Sequence, residues 1–168
     1  LESGEMFTDI YVTERNRDGE WSVPEKIYGG VNSEYDEGAA SLNRRYNVLY
    51  FSRCALHKDA DRGCRIYKAK RRGHYWSNPE LVKIPGIPDQ ISIGHPSISE
   101  DACTFYFVAD SLLGGYGGKD IYKVTREKKS KNFQPPQNLG PDINTVNDDC
   151  FPYYRDDGIL FFASDGHM

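Results

Sequence analysis

The chain repeats itself every 55 or 56 residues, and this recurrence restricts its fold more than any other feature. "DIYV" from Asp9 returns as "RIYK" from Arg65 and "DIYK" from Asp120. "LYFS" from Leu49 returns as "FYFV" from Phe105 and "LFFA" from Leu160. "EWSVPEKI" from Glu20 returns as "YWSNPELV" from Tyr75 and, weakly, as "NFQPPQNL" from Asn132. "NSEYDEGAAS" from Asn32 matches "NTVNDDCFPY" from Asn144, with "SIGHPSIS" from Ser92 as the middle copy. Independent markers sharing one spacing mean one supersecondary unit copied along the chain, each copy burying its apolar face against the next.

The unit reads as four short strands. In the complete middle copy they are "HPSIS", "TFYFVAD", "DIYKVT" and "FQPPQNL". "SEDA", "SLLGGYGGK" and "REKKSKN" connect them and are rich in turn-forming residues. No apolar run keeps a helical period. Four antiparallel strands per unit of this length predict an all-β fold, a segment of a β-propeller. The expected division is the end of one blade over 1–30, complete blades over 31–86 and 87–141, and the first half of another over 142–168. That is about three blades' worth of chain, two complete and two partial. A closed propeller needs about four to eight blades. The chain also opens at Leu1 with no initiator Met or signal peptide. A segment of a larger propeller is the expectation. The alternative is two copies joined as half-rings, since open blade edges invite self-association.

"GGYGGKDIY", from Gly114, looks at first like a phosphate cradle. A P-loop would require glycine where Leu113 stands and a hydroxyl where Asp120 stands. A dinucleotide fingerprint would require a helix directly afterwards, whereas "DIYKV" alternates as a strand does. The glycines are expected to make a turn into a third strand. The formal charge of −4 gives no general affinity for nucleic acid. No apolar stretch is long enough for a direct membrane span. No cofactor motif is present.

These motifs carry a resemblance. N-[ST]-x-x-D-[ED], then P-S-I-S-x-D, L-Y-F, G-G-x-G-G-x-D-I-Y and W-S-x-P together resemble the WD40-like, TolB-type propeller repeat. The resemblance extends to the version found in periplasmic, outer-membrane-associated OmpA-family proteins of Bacteroidota, such as the PorE-like component of type IX secretion. It covers nearly the whole chain. "RCALHKDADRGCRIY" departs from the pattern by losing its glycines, and "NFQPP" lacks the Trp. The resemblance implies a propeller in the periplasm, associated with the outer membrane and engaged with protein partners of the cell envelope.

Alternating strand directions put the entry to each first strand on the same face as the second-to-third hairpins. That face collects acids, among them Glu34, Asp36, Glu37, Asp89, Asp142, Asp148 and Asp149. The opposite face collects Arg71, Arg72, Lys128, Lys129 and Lys131, a basic rim that could steer a partner. Solvated hairpin tips explain the same charges.

Four cysteines are present. Cys54 closes a second strand and Cys64 opens the next, so a disulfide across the hairpin is expected, in an oxidising compartment. The rival is a metal site in "CALHKDADRGC" from Cys54, His57, Asp59, Asp61 and Cys64, whose spacing fits no zinc or EF-hand pattern. No metal is expected. Asn32, Asp36, Glu37, Asn144, Asp148 and Asp149 recur at the approach to inner strands. Asn and Asp there fix turns by bonding nearby backbone. With His95 they are also where a ligand in the central channel would meet the protein. His95 and Ser97 lie on one inner strand with Ser99, where residues two apart point to one face, but no third partner or oxyanion hole completes a triad. The expected function is a non-catalytic scaffold or protein-binding module of a cell-envelope complex. The competing reading is an envelope hydrolase, or a glycan- or small-ligand-binding propeller, using the acidic inner rim.

Overall fold

The structure is a computed structural model describing residues 8–55, 63–112 and 114–167. Among them every regular element is a strand, and every pairing between named strands is antiparallel. The first sheet pairs β1 (Tyr11–Val12) with β2 (Glu25–Lys26). The second holds β3 (Asp36–Leu42), β4 (Val48–Cys54) and β5 (Cys64–Arg72). The nine-residue β5 takes two further partners. These are β6 (Tyr75–Trp76) at its end and β7 (Glu80–Leu81) at its middle. The third sheet runs β8 (Ile93–Ile98), β9 (Thr104–Asp110), β10 (Lys119–Thr125) and β11 (Gln137–Asn138). The fourth pairs β12 (Asp149–Arg155) with β13 (Ile159–Ser164). The chain is all-β and forms a partial propeller.

Outer strands are short for a local reason. "FQPP" offers two consecutive residues without a backbone N–H, so only Gln137 and Asn138 pair with β10. The predicted fourth strand is therefore confined to its last residues.

Each inner strand carries the same irregularity. The register shifts between Gly38 and Ser41 in β3, between Gly94 and Ser97 in β8, and between Cys150 and Tyr153 in β12. At each shift one residue adopts a left-handed backbone: Ala39 (φ 44°), His95 (φ 49°) and Phe151 (φ 53°). These are β-bulges, which insert a residue, bend the strand and re-aim side chains. They also break the two-residue alternation, so His95 and Ser97 do not simply share a face.

Two apolar clusters hold the sheets together. The larger gathers Tyr50, Ile66, Ile93, Phe105, Phe107 and Val124 with their neighbours between the second and third sheets. Phe105 is fully buried, with ring centroids 5.3 Å from Tyr50 and 5.7 Å from Phe133. The smaller packs Val31, Leu49, Phe51 and Ala69 between the first and second. Phe133 takes the position that Trp21 and Trp76 hold in the other copies, and Arg126 lies over its ring at 4.9 Å.

The glycine-rich connection is a packing solution. A Cβ on Gly117 would collide with the backbone of Thr145 and Val146, and one on Gly115 with Asp120. Gly114 sits at φ 87°, a conformation glycine adopts without penalty. The loop thus lies directly on the entry to β12 and leads into β10.

Candidate functional site

The polar residues that recur at the entry to each inner strand hold one sheet against the next. Asn144 is buried and accepts the Ile121 N–H at 2.8 Å through Oδ1. Its Nδ2 donates to Ile121 O at 2.9 Å and to Asn138 Oδ1 at 2.8 Å. Asn32 repeats this on Ile10, accepting its N–H at 2.9 Å and donating to its carbonyl at 3.0 Å. A side-chain amide thus presents one donor and one acceptor to the neighbouring backbone, as a strand would.

A second clamp lies beside the first. Asp36 Oδ1 accepts the Thr8 N–H at 2.8 Å, and Asp148 Oδ1 accepts the Lys119 N–H at 3.0 Å. The middle copy does the same with Ser92, whose Oγ accepts the Cys64 N–H at 2.9 Å. It has no asparagine at the first clamp. Arg65 Nη1 donates to Ile91 O at 2.7 Å instead. Asp148 also takes the Lys119 ammonium at 2.5 Å, and this holds its carboxyl below the usual range.

Glu37 and Asp149 brace the turns themselves. Glu37 accepts from Ser33 Oγ at 2.5 Å and from Arg53 Nε at 2.7 Å. Asp149 accepts from Thr145 N at 2.6 Å and Thr145 Oγ1 at 3.0 Å. Both acids are buried, so the acidic face carries less exposed charge than a count of its residues suggests. Turn-making was the legible part of these roles. The partners 22 to 29 residues back along the chain were not.

Of the candidate channel residues, only His95 borders the cavity onto which the inner strands open. This is a funnel of about 640 Å³ between β3, β8 and β12. The bulges open onto it. The His95 ring stacks on Phe151 with centroids 4.0 Å apart, and Nδ1 accepts the Phe151 N–H at 3.3 Å. Burial, then the nearby Lys119 charge, lowers the His95 pKa, so the ring is neutral at neutral pH. Arg44 and Glu100 pair across the funnel mouth at 3.2 Å, and Arg155 pairs with Asp157. Tyr46 and Phe151 expose apolar surface along it.

No catalytic set assembles from His95, Ser97 and Ser99. Ser97 Oγ accepts the Tyr154 N–H at 3.0 Å. Ser99 Oγ donates to Asp101 at 2.8 Å and accepts the Thr104 N–H at 2.9 Å. The hydroxyls are spent on links between and within sheets.

Cys54 and Cys64 face each other across β4 and β5 and are joined as a disulfide. His57, Asp59 and Asp61 lie outside the described residues. Among the described residues no group of three or more His, Cys, Asp or Glu side chains is placed to hold a metal. Arg71, Arg72, Lys128, Lys129 and Lys131 are all exposed at hairpin ends. Arg71 donates to Gly73 O at 3.2 Å. No helix among the described residues is long and apolar enough to cross a membrane.

No protein-family model matches the chain, and no curated protein matches it. Among solved structures it is similar to TolB from Acinetobacter baumannii, a β-propeller protein, with 17% identity and a TM-score of 0.53. That match covers 92% of this chain and 32% of TolB, so the chain spans about a third of the TolB length. It is also similar to a puromycin-hydrolyzing peptidase of Mycobacterium tuberculosis, at 17% identity and a TM-score of 0.49. That second match covers 82% of this chain and 20% of the peptidase. The TolB likeness is one of fold.

Proposed function

We propose that the chain is a propeller segment serving as a non-catalytic scaffold and protein-binding module. The observation that carries this reading is where the inner-rim polar groups go. Asn32, Asp36, Asn144 and Asp148 clamp neighbouring backbone, and Ser97 and Ser99 are consumed in links. What faces the funnel is a mixed surface of aromatic rings and paired charges, suited to recognition. The finer reading places the module in the periplasm, in an outer-membrane-associated assembly of the type IX secretion kind. It rests on the repeat motifs, and a disulfide supports an oxidising compartment.

A photo-crosslinking residue at Tyr46, in the funnel, against one at Tyr75, outside it, tests this reading in envelope extract. The expected outcome is a discrete crosslinked protein from Tyr46 that is lost in Phe151→Ala, with no hydrolysis of peptide or glycan panels. Turnover abolished by His95→Ala would instead favour the runner-up, a hydrolase or glycan-binding propeller.

A further inference from the structure

Corresponding positions in the copies treat their buried charge differently. Where β1 meets the entry to β3, two carboxylates are each neutralised. Asp9 pairs with Lys26 at 2.5 Å, and Glu37 with Arg53 at 2.7 Å. Strand register identifies the counterparts where β10 meets β12. Tyr11 faces Lys26 as Tyr122 faces Asn138, and Glu37 faces Arg53 as Asp149 faces Ser164. Asp120 and Asp149 therefore keep both acids, while neutral Asn138 and Ser164 stand where the cations were. In the middle copy the acids are gone as well, replaced by Arg65 and Ile93.

The two carboxylates are deeply buried, Asp120 2% exposed and Asp149 0%. One oxygen of each is satisfied. Asp120 Oδ2 accepts from Tyr116 N at 2.7 Å and Asn138 Nδ2 at 3.4 Å, and Asp149 Oδ2 accepts from Thr145. The other oxygens, Asp120 Oδ1 and Asp149 Oδ1, have no partner, and neither does the Tyr122 hydroxyl. The ammonium of Lys119, next to Asp120 in the chain, is engaged by Asp148. The groups belong to one network, since Asn138 links Asp120 to Asn144, and adjacent Thr145 bonds Asp149. Burial pushes the Asp120 carboxyl up, and the Asp149 charge adds to that rise. Two uncompensated carboxylates in one buried network are strongly unfavourable unless a positive charge joins them.

We propose that this interface binds a hard divalent cation of the calcium class, held by Asp120 Oδ1 and Asp149 Oδ1 beside the Tyr122 hydroxyl. The cation takes the place of the lysine and arginine used in the first copy. An oxygen-only donor set suits calcium over softer metals, and two carboxylates supply the charge. The glycine loop closes over the site, because a Cβ on Gly115 would meet Asp120 and lie 3.2 Å from the Tyr122 hydroxyl.

The test is calorimetric titration of calcium chloride into the chelator-treated chain, with thermal melts alongside. The expected result is one site per chain and a raised melting midpoint. Asp149→Asn should weaken binding by about 100-fold, as loss of a ligand charge does. Asn138→Lys installs the first copy's solution. It should abolish calcium binding while leaving the calcium-free chain folded, the new ion pair with Asp120 offsetting the two bonds that Asn138 Oδ1 accepts from Asn144 and Gly140. That variant remains informative if Asp149→Asn fails to fold. No calcium heat and no midpoint shift at millimolar calcium would overturn the proposal. So would Asn138→Lys binding calcium like the wild type. A midpoint that rises on mild acidification and ignores calcium would assign the missing charge to a shared proton, and would also overturn it. None of these outcomes bears on the funnel or its partner.

Discussion

Asn144→Ala is the sharpest perturbation of the clamp. The side chain is 1% exposed and makes three bonds of 2.8, 2.9 and 2.8 Å. Truncation strands the Ile121 N–H, a buried donor with no competing acceptor. Leaving such a group unsatisfied costs about 1–3 kcal/mol. The Ile121 carbonyl keeps one bond, from Leu139 N at 3.2 Å, so its loss is smaller. The Asn138 amide oxygen keeps the Gly140 N–H at 2.8 Å. Together the loss should be about 2–4 kcal/mol. For a chain of this size each kcal/mol moves the melting midpoint by about 2–4 °C, so a fall of roughly 5–15 °C is expected. Urea denaturation should show a lowered midpoint with an unchanged slope, since the exposed surface is the same. Asn144→Asp should recover none of the loss, because it keeps the Oδ1 acceptor but sets a buried carboxylate oxygen against the Ile121 carbonyl and the Asn138 amide oxygen. A change below about 0.5 kcal/mol, the level of an ordinary surface substitution, would refute the clamp.

Further outcomes follow from the same structure. Phe105→Ala should cost about 3–5 kcal/mol by denaturant titration, because it empties the centre of the larger cluster. Replacing Cys54 and Cys64 together by Ala frees a link spanning 10 residues and should cost about 2–3 kcal/mol in non-reducing denaturation. Gly117→Ala should lower the melting midpoint, because its Cβ meets the backbone of Thr145 and Val146 and neither can retreat along a rotamer. Asp101 has its carboxyl held below 3.8 by the Cys103 N–H, then by the Ser99 hydroxyl. A depressed folded pKa adds stability that is present above the unfolded value and lost as pH falls through the folded one. The stability gap between wild type and Asp101→Ala, followed by acid titration, should therefore hold at neutral pH and shrink below about pH 3.8.

The fold was legible because its signal is redundant. The "DIY" and "LYF" markers recur at one spacing, and each sits on a strand that must pack the same way. The bulges were not legible. They fall at Ala39, His95 and Phe151, none of them a glycine, so no shared residue preference announces the left-handed backbone there. Hence the expectation of a regular inner strand, with His95 and Ser97 on one side, did not anticipate the break between them. The clamps were half legible. Asn and Asp before a strand announce local hydrogen bonding, but their partners Ile10, Thr8, Ile121 and Lys119 lie on the preceding sheet, and local spacing carries no information about them. Only the structure distinguishes the neutralised pair of acids from the uncompensated pair. Lys26 and Asn138 are equivalent through strand register, and within weakly matching segments.

Site-resolved amide hydrogen exchange at Ile10 and Ile121 tests the central claim most directly, since side chains of the next sheet hold both amides. Both should exchange slowly in the wild type, Ile121 as slowly as core amides such as that of Phe107. The Ile121 amide should lose that protection selectively in Asn144→Ala. Fast exchange at Ile121 in the wild type, or protection that survives Asn144→Ala, would contradict the account.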